Sequence, residues 1–166
     1  MTRTRITLAA LLLAGIAAPA FAAPSSQEFV TKAALTDKFE IASSKLALHK
    51  SSDPDIQAFA KQMIADHHQS TAGLKAALAQ SGTGIKPPVA LDSKHHELLS
   101  KLRNDSGDDF DHDYLAAQEE GHDKAVDLFT AYSQGGHNAA LKSFAAQTLP
   151  VIQHHQQMAH DLAQNH

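Results

Sequence analysis

Cysteine is absent from all 166 residues, and that one absence removes several kinds of chemistry together. Without thiols there is no disulfide framework, no thiolate metal site, no attachment motif for a c-type haem and no cysteine to carry a lipid anchor. An excess of basic residues is also missing. Fourteen Lys and Arg stand against eighteen Asp and Glu, a formal charge of −4 with histidines neutral, so nothing suggests nucleic-acid binding, which needs a basic footprint. Strand-like alternation of branched residues is lacking as well, while Ala, Leu, Lys and Gln dominate. That composition points to an all-helical chain.

Long apolar runs are equally scarce. One lies at the start, where Arg3 and Arg5 precede the uncharged stretch from Ile6 to Ala18, followed by Pro19-Ala20-Phe21-Ala22. A basic head, a short apolar run and an Ala-x-Ala motif define a secretory signal peptide, with the cut expected after Ala22. The run is too short to span a bilayer comfortably. Residues 1–22 are therefore expected to be removed and 23–166 to form the domain, which is periplasmic or secreted and has no transmembrane segment. Removing Arg3 and Arg5 leaves twelve basic against eighteen acidic residues, a formal charge of −6. The length allows one domain with a single real core.

What is present is a series of amphipathic helices with clear start and stop signals. Ser25-Ser26-Gln27-Glu28 reads as a capping box opening a helix that runs to about His49. Asp53-Pro54 starts a second, ended at Ser81-Gly82. Thr83 to Pro88 is a loop by composition. A short helix follows, capped by Asp92 or Ser93 and ending near Asn104. A long helix is expected from roughly Asp108 to Ser133, and a last one from about Asn138 to Ala163. Pro150 inside the last predicts a kink or a split. The acidic cluster Asp108, Asp109, Asp111 and Asp113 lacks the glycine and the terminal Glu of an EF-hand in register, so it is better explained by carboxylates favouring a helix N-terminus. Tight turns within each helix pair and a long connection between the pairs let the second and third long helices run parallel. One long crossover, here carrying the short helix, marks a ferritin-like four-helix bundle.

Twelve histidines are the unusual count. Counting about 100° per residue, His67 shares its stripe with Ile56, Ala60, Ile64, Thr71, Leu74 and Leu78. That is the face a helix turns to a core, where an imidazole without a partner is costly. Glu40 shares a stripe with Phe29, Ala33, Ser44 and Ala47. His122 lies with Leu115, Gln118, Val126 and Phe129, and His155 with Leu141, Phe144, Val151, Ile152 and Ala159. Each long helix thus turns one metal-competent side chain inward, whereas His68 and His154 are rotated away. Glu40 and His67 fall within about a turn of one height, while His155 is offset from His122 by roughly 9 Å in an ideal helix.

Two readings of these four residues follow. In one, Glu40, His67, His122 and His155 are ligands of a transition metal such as zinc, copper, nickel, non-haem iron or manganese, in a bundle core of the kind known to build such sites. In the other they form a hydrogen-bonded polar network that fixes the register of a non-catalytic envelope interaction module. Met63 and Met158, one turn from inward histidines, are core filler, with a thioether-ligated copper or haem site as the sharper alternative. Gln118 is the most plausible group to support the ligands. A di-iron centre is disfavoured because inward carboxylates are scarce. No Ser sits in an elbow with a matching His and Asp.

The blocks Phe29-Val30, Glu40 and Leu46-Ala47, then Phe59-Ala60-x-x-Met63-Ile64-x-Asp66-His67, then Phe110-Asp111-x-x-Tyr114-x-x-x-Gln118-x-x-x-His122, then Leu149-Pro150-x-x-x-x-His155 cover nearly the whole mature chain. In this order they resemble the bacterial exported proteins grouped as domain of unknown function 4142. The resemblance implies a ferritin-like bundle, exported or associated with the outer membrane, with no established reaction. Glu40, Asp66, His67, His122 and His155 fall on its motif positions.

Overall fold

A computed structural model describes residues 23–166; the signal-peptide reading lies outside the described residues. Five helices follow one another: α1 (Ser26–Lys50), α2 (Pro54–Ser81), α3 (Ser93–Asn104), α4 (Gly107–Gly135) and α5 (Ala139–Asn165). Their ends obey local chemistry. Ser25 Oγ accepts from the Glu28 amide, and Glu28 pairs with Lys32 one turn on. Asp53 caps the Ile56 and Asp55 amides ahead of Pro54, and Asp92 caps His95. Gly82 ends α2 with a φ of 64°, a left-handed conformation that a side chain would strain.

Contacts between the helices fix the topology. Phe29 at the start of α1 stacks on Tyr132 at the end of α4, with ring centroids 4.0 Å apart, and meets Phe144 near the start of α5. At the other end of α1, Ser44 Oγ lies 2.9 Å from the hydroxyl of Tyr114, early in α4. α1 and α4 are therefore antiparallel. Along the α2–α5 seam, Asp66 meets His155 while Gly73 meets Phe144, so these two are antiparallel as well. It follows that α2 and α4 run parallel, and the segment from Gly82 to Ser106 travels the length of the bundle to join them. That is the one-crossover arrangement of ferritin-like bundles, as the sequence predicts. α3, carried by this crossover, inserts Leu99 and Leu102 against Phe39 and Phe110. The ammonium of Lys50 donates to the carbonyls of Arg103 and Asp105 at 2.8 and 2.6 Å, fastening the end of α3 to the end of α1.

α5 continues through Pro150 as one helix, so the expected split does not occur. Proline removes one N–H from the ladder, but buried residues lie on both sides of it, Phe144 and Ala145 before and Ile152, His155 and Ala159 after.

The apolar core falls into two clusters. One, containing Phe29, Val30, Leu74, Phe129, Tyr132, Leu141, Phe144 and Ile152, fills the end where α1 begins. The other, containing Phe39, Ile56, Phe59, Met63, Phe110, Tyr114, Leu115 and Ala159, fills the opposite end. Burying each large side chain contributes about 1.5–3 kcal/mol. Between the clusters every long helix contributes buried polar groups: Asp37 and Glu40 from α1, His67 from α2, Gln118 and His122 from α4, and His155 from α5.

Candidate metal centre

Of the twelve histidines, His67, His122 and His155 are buried, at 4, 1 and 1% exposure, and all the others are half-buried or exposed. His68 and His154, rotated off their stripes, point to solvent. Ring centroids of the three buried imidazoles are 5.8 Å apart for His67 and His122, 5.5 Å for His67 and His155, and 5.5 Å for His122 and His155. One ring nitrogen from each lies within 4.8 Å of one from each of the others.

His155 therefore reaches the level of its partners despite the offset expected from helix counting. With the ends as observed, His122 precedes the end of α4 at Gly135 by thirteen residues, and His155 follows the start of α5 at Ala139 by sixteen. The remaining difference is three residues, about 4.5 Å of rise, and the two rings nonetheless stand 5.5 Å apart.

In each ring one nitrogen is engaged and the other is not. His67 Nδ1 donates to Asp37 Oδ1 at 2.8 Å, His122 Nδ1 to the carbonyl of Gln118 at 2.8 Å, and His155 Nε2 to Asp66 Oδ2 at 2.9 Å. A carbonyl only accepts, so His122 carries its proton on Nδ1. The opposite nitrogens, His67 Nε2, His122 Nε2 and His155 Nδ1, are buried without a protein partner. This is the pattern of metal-ligating histidines, in which the second N–H is held by a carboxylate or carbonyl that fixes tautomer and ring orientation. A buried unsatisfied polar atom costs about 1–3 kcal/mol. Three at one point are a sizeable fraction of the roughly 5–15 kcal/mol that holds a domain together.

Two of the three protonation states suit a ligand set. Burial pushes His122 down to about 3, helped by the charge of His67 and opposed by the bond to Gln118. Burial also lowers His155, against the pull of Asp66. Both are neutral imidazoles near pH 7. His67 moves the other way: burial presses it down, but the hydrogen bond and charge of Asp37, with Glu40 and Asp66 behind it, raise it overall.

Glu40 is fully buried, and neither carboxylate oxygen has a hydrogen-bond partner. Burial raises its carboxyl to about 7, against His67 and Gln118, with Asp37 adding to the rise. It lies in the same layer but outside the group of three histidines, pressed against α4 where Gly121 leaves room. A Cβ at Gly121 would stand 3.0 Å from Glu40 Oε1. Gln118 supports the site through its backbone carbonyl, while its side chain donates to Ser43 Oγ at 3.4 Å. Met63 and Met158 belong to the apolar cluster below the layer.

Asp37 is the site residue that the sequence reading passed over. It stands one turn before Glu40 on the stripe of Ala33 and Ser44, is 4% exposed, and also accepts from Thr71 at 3.0 Å. The signal was a second acid on an apolar stripe.

The donor set fits a divalent transition metal. Three imidazole nitrogens with a carboxylate nearby match the ligands that zinc and copper take. A tetrahedral ion with bonds of about 2.0–2.1 Å would need donor nitrogens roughly 3.4 Å apart, which the present separations, all within 4.8 Å, would reach by closing at most about 1.4 Å.

Fold and site together define a four-helix bundle of ferritin-like topology with a buried three-histidine cluster between two apolar half-cores. The chain belongs to the family described as Domain of unknown function (DUF4142), whose model matches residues 12–162. Among solved structures it is similar to "CopM in the Cu(II)-bound form", with a TM-score of 0.71 and 16% identity over 86% of this chain and 98% of that one. At that identity the likeness concerns the fold. No curated protein matches the chain. Among the described residues no helix is long and apolar enough to cross a membrane.

Proposed function

We propose that this chain is an exported protein that binds one divalent transition-metal ion through His67, His122 and His155, with Glu40 supplying negative charge and a further donor from the α1 side. The observation that carries this reading is the convergence of three unpartnered ring nitrogens whose opposite nitrogens are each held by Asp37, Asp66 or the Gln118 carbonyl. Its role is to hold the ion, in storage, buffering or protection against metal stress. Copper(II) is the first ion to test, since the similar bundle CopM was solved in its Cu(II)-bound form and imidazole ligands suit that ion. Zinc, iron and manganese follow. The basic head and Ala-x-Ala motif of residues 1–22 support export to the periplasm or beyond, which cell fractionation and N-terminal sequencing check.

The test is metal analysis of protein purified without chelator, with melting curves before and after adding each ion. The expected result is one ion per chain and a melting temperature that rises on loading. Protein with no metal and no shift with any of the four ions overturns the reading.

A competing reading treats the layer as a polar network that fixes helix register in an envelope interaction module. The Asp37–His67 pair, both members buried at 2.8 Å, favours it. It requires that His122→Leu, which replaces a polar group by apolar packing, keep or raise stability whether or not metal is supplied.

A further inference from the structure

The histidine cluster is closed on most sides by helix packing, and a buried metal site needs an entry path. A cavity of about 230 Å³ between α2 and α5 ends on His67 and His155. Its walls include Ser70 and Gly73 of α2 and Thr148 and Val151 of α5. Gly73 matters there, because a Cβ at that position would stand 3.1 Å from the Phe144 ring. Val151 is 42% exposed and stands at the rim. Asp66 is in the same wall with its side chain 29% exposed, while His155, to which it is bonded, is 1% exposed. One hydrogen-bonded pair thus links solvent to the ring of a cluster histidine, at Nε2, the nitrogen opposite its unpartnered Nδ1. A second, larger cavity of about 580 Å³ lies on the opposite side, against α1, α3 and α4, and is lined by Glu40 and Gly121 but by none of the three histidines.

We propose that the α2–α5 cleft is the port through which the ion enters and leaves, and that Asp66 is its capture residue. The inference rests on the metal reading above. An aquated divalent cation is drawn to the Asp66 carboxylate at the mouth, sheds water there against an oxygen donor, and passes inward to the imidazoles. Asp66 acts through position: it meets the ion before His155 does and holds the His155 ring in the orientation that receives it.

Rapid-mixing measurement of Cu(II) uptake, and of its release to a chelator, tests this on the full-length mature protein. Thr148→Phe and Val151→Trp fill the mouth without touching a ligand. Each should slow uptake and release together by about tenfold or more while their ratio, the affinity, stays within about twofold. Val151→Ala, an exposed truncation with little to disturb, should speed both. Lys124→Trp, on the wall of the opposite cavity, should change neither rate. Asp66→Asn should slow uptake and flatten its dependence on ionic strength, a readout that a purely structural role for Asp66 would leave alone. Folded mouth variants that load at the wild-type rate, an unchanged rate in Val151→Ala, or slowing by Lys124→Trp each overturn the port while leaving the metal site standing. Wild-type protein that takes up no ion removes both.

Discussion

Asp37 on α1 and His67 on α2 are thirty residues apart in sequence and 2.8 Å apart in the fold, both almost fully buried. The pair couples the first hairpin to the histidine layer: the carboxylate accepts from Nδ1–H of His67 and leaves Nε2 without a protein partner beside His122 and His155. Asp66 does the same for His155 from one residue away on α2, and the Gln118 carbonyl does it for His122. Two carboxylates and a peptide carbonyl therefore set the geometry of three imidazoles.

Removing the support should weaken the site without removing a ligand. Asp37→Asn keeps a hydrogen-bonding side chain but loses the charge. Metal affinity should fall about 10–100-fold, the usual effect of losing such a partner, with helicity unchanged. Competition against a chelator of known affinity measures it, and an affinity equal to wild type would show that Asp37 does not orient His67 for a metal.

Removing a ligand should separate binding from folding. His122→Leu should abolish the metal-induced rise in melting temperature, because two imidazoles remain where three converge. In metal-free protein the same change should be neutral or stabilising by roughly 1 kcal/mol or more, since it replaces a buried unsatisfied polar atom with apolar contact. Thermal melts with and without Cu(II) give both numbers.

The carboxyl of Glu40 provides a pH signature. Its folded value, about 7, lies above the ordinary 4.5 of a glutamate, so the folded state holds this proton more tightly than the unfolded chain. The associated stability is fully present below about pH 4.5 and is lost as pH rises through 7. A shift of that size corresponds to about 3 kcal/mol. Metal-free Glu40→Gln should therefore gain on wild type progressively between pH 4.5 and 7 and hold a constant advantage above. Urea unfolding at pH 5 and pH 8 reads the difference, and equal differences at the two values would contradict the raised carboxyl.

His67 shares the direction of Glu40, and His122 runs the other way. His122, at about 3 when folded, contributes stability that is present above pH 6.5 and lost as pH falls toward 3. His67 is raised by the hydrogen bond and charge of Asp37, so it holds a second proton more tightly than a free imidazole does. Loading should release that proton, and affinity should rise with pH through the raised range of His67. Calorimetry in two buffers of different ionisation enthalpy counts the protons, and an affinity that does not rise with pH would be inconsistent with the raised His67.

Gly121 tests the packing of Glu40 from the other side. Gly→Ala inside a helix ordinarily gains about 1 kcal/mol, but here the new Cβ meets the Glu40 carboxylate at 3.0 Å. Gly121→Ala should gain less than that, or lose, in the wild-type background, and recover the full gain when combined with Glu40→Ala. A double-mutant cycle by denaturant unfolding measures the coupling, and additive effects would place the carboxylate elsewhere.

The helices, their caps and their order were legible in the sequence because each rests on local chemistry: Asp53-Pro54 starts a helix wherever it occurs, and Gly82 ends one. The long connection between two tight hairpins set the topology for the same reason, since a chain that must cross the bundle needs that length. The inward face of each helix was legible too, because a 3.6-residue period places Glu40, His67, His122 and His155 on apolar stripes without reference to any partner. Height was a different matter. Whether His155 meets His122 depends on where α4 ends, where α5 begins and how the two tilt, and a few residues of uncertainty there amount to several ångströms. The role of Asp37 was hidden for a related reason: a lone acid on a stripe gains meaning only when a second helix brings His67 Nδ1 against it. Local sequence determined which side chains turn inward. Only the packing of four helices decided that three imidazoles share one point, that Asp37 and Asp66 hold two of them, and that Glu40 stands beside the cluster against Gly121.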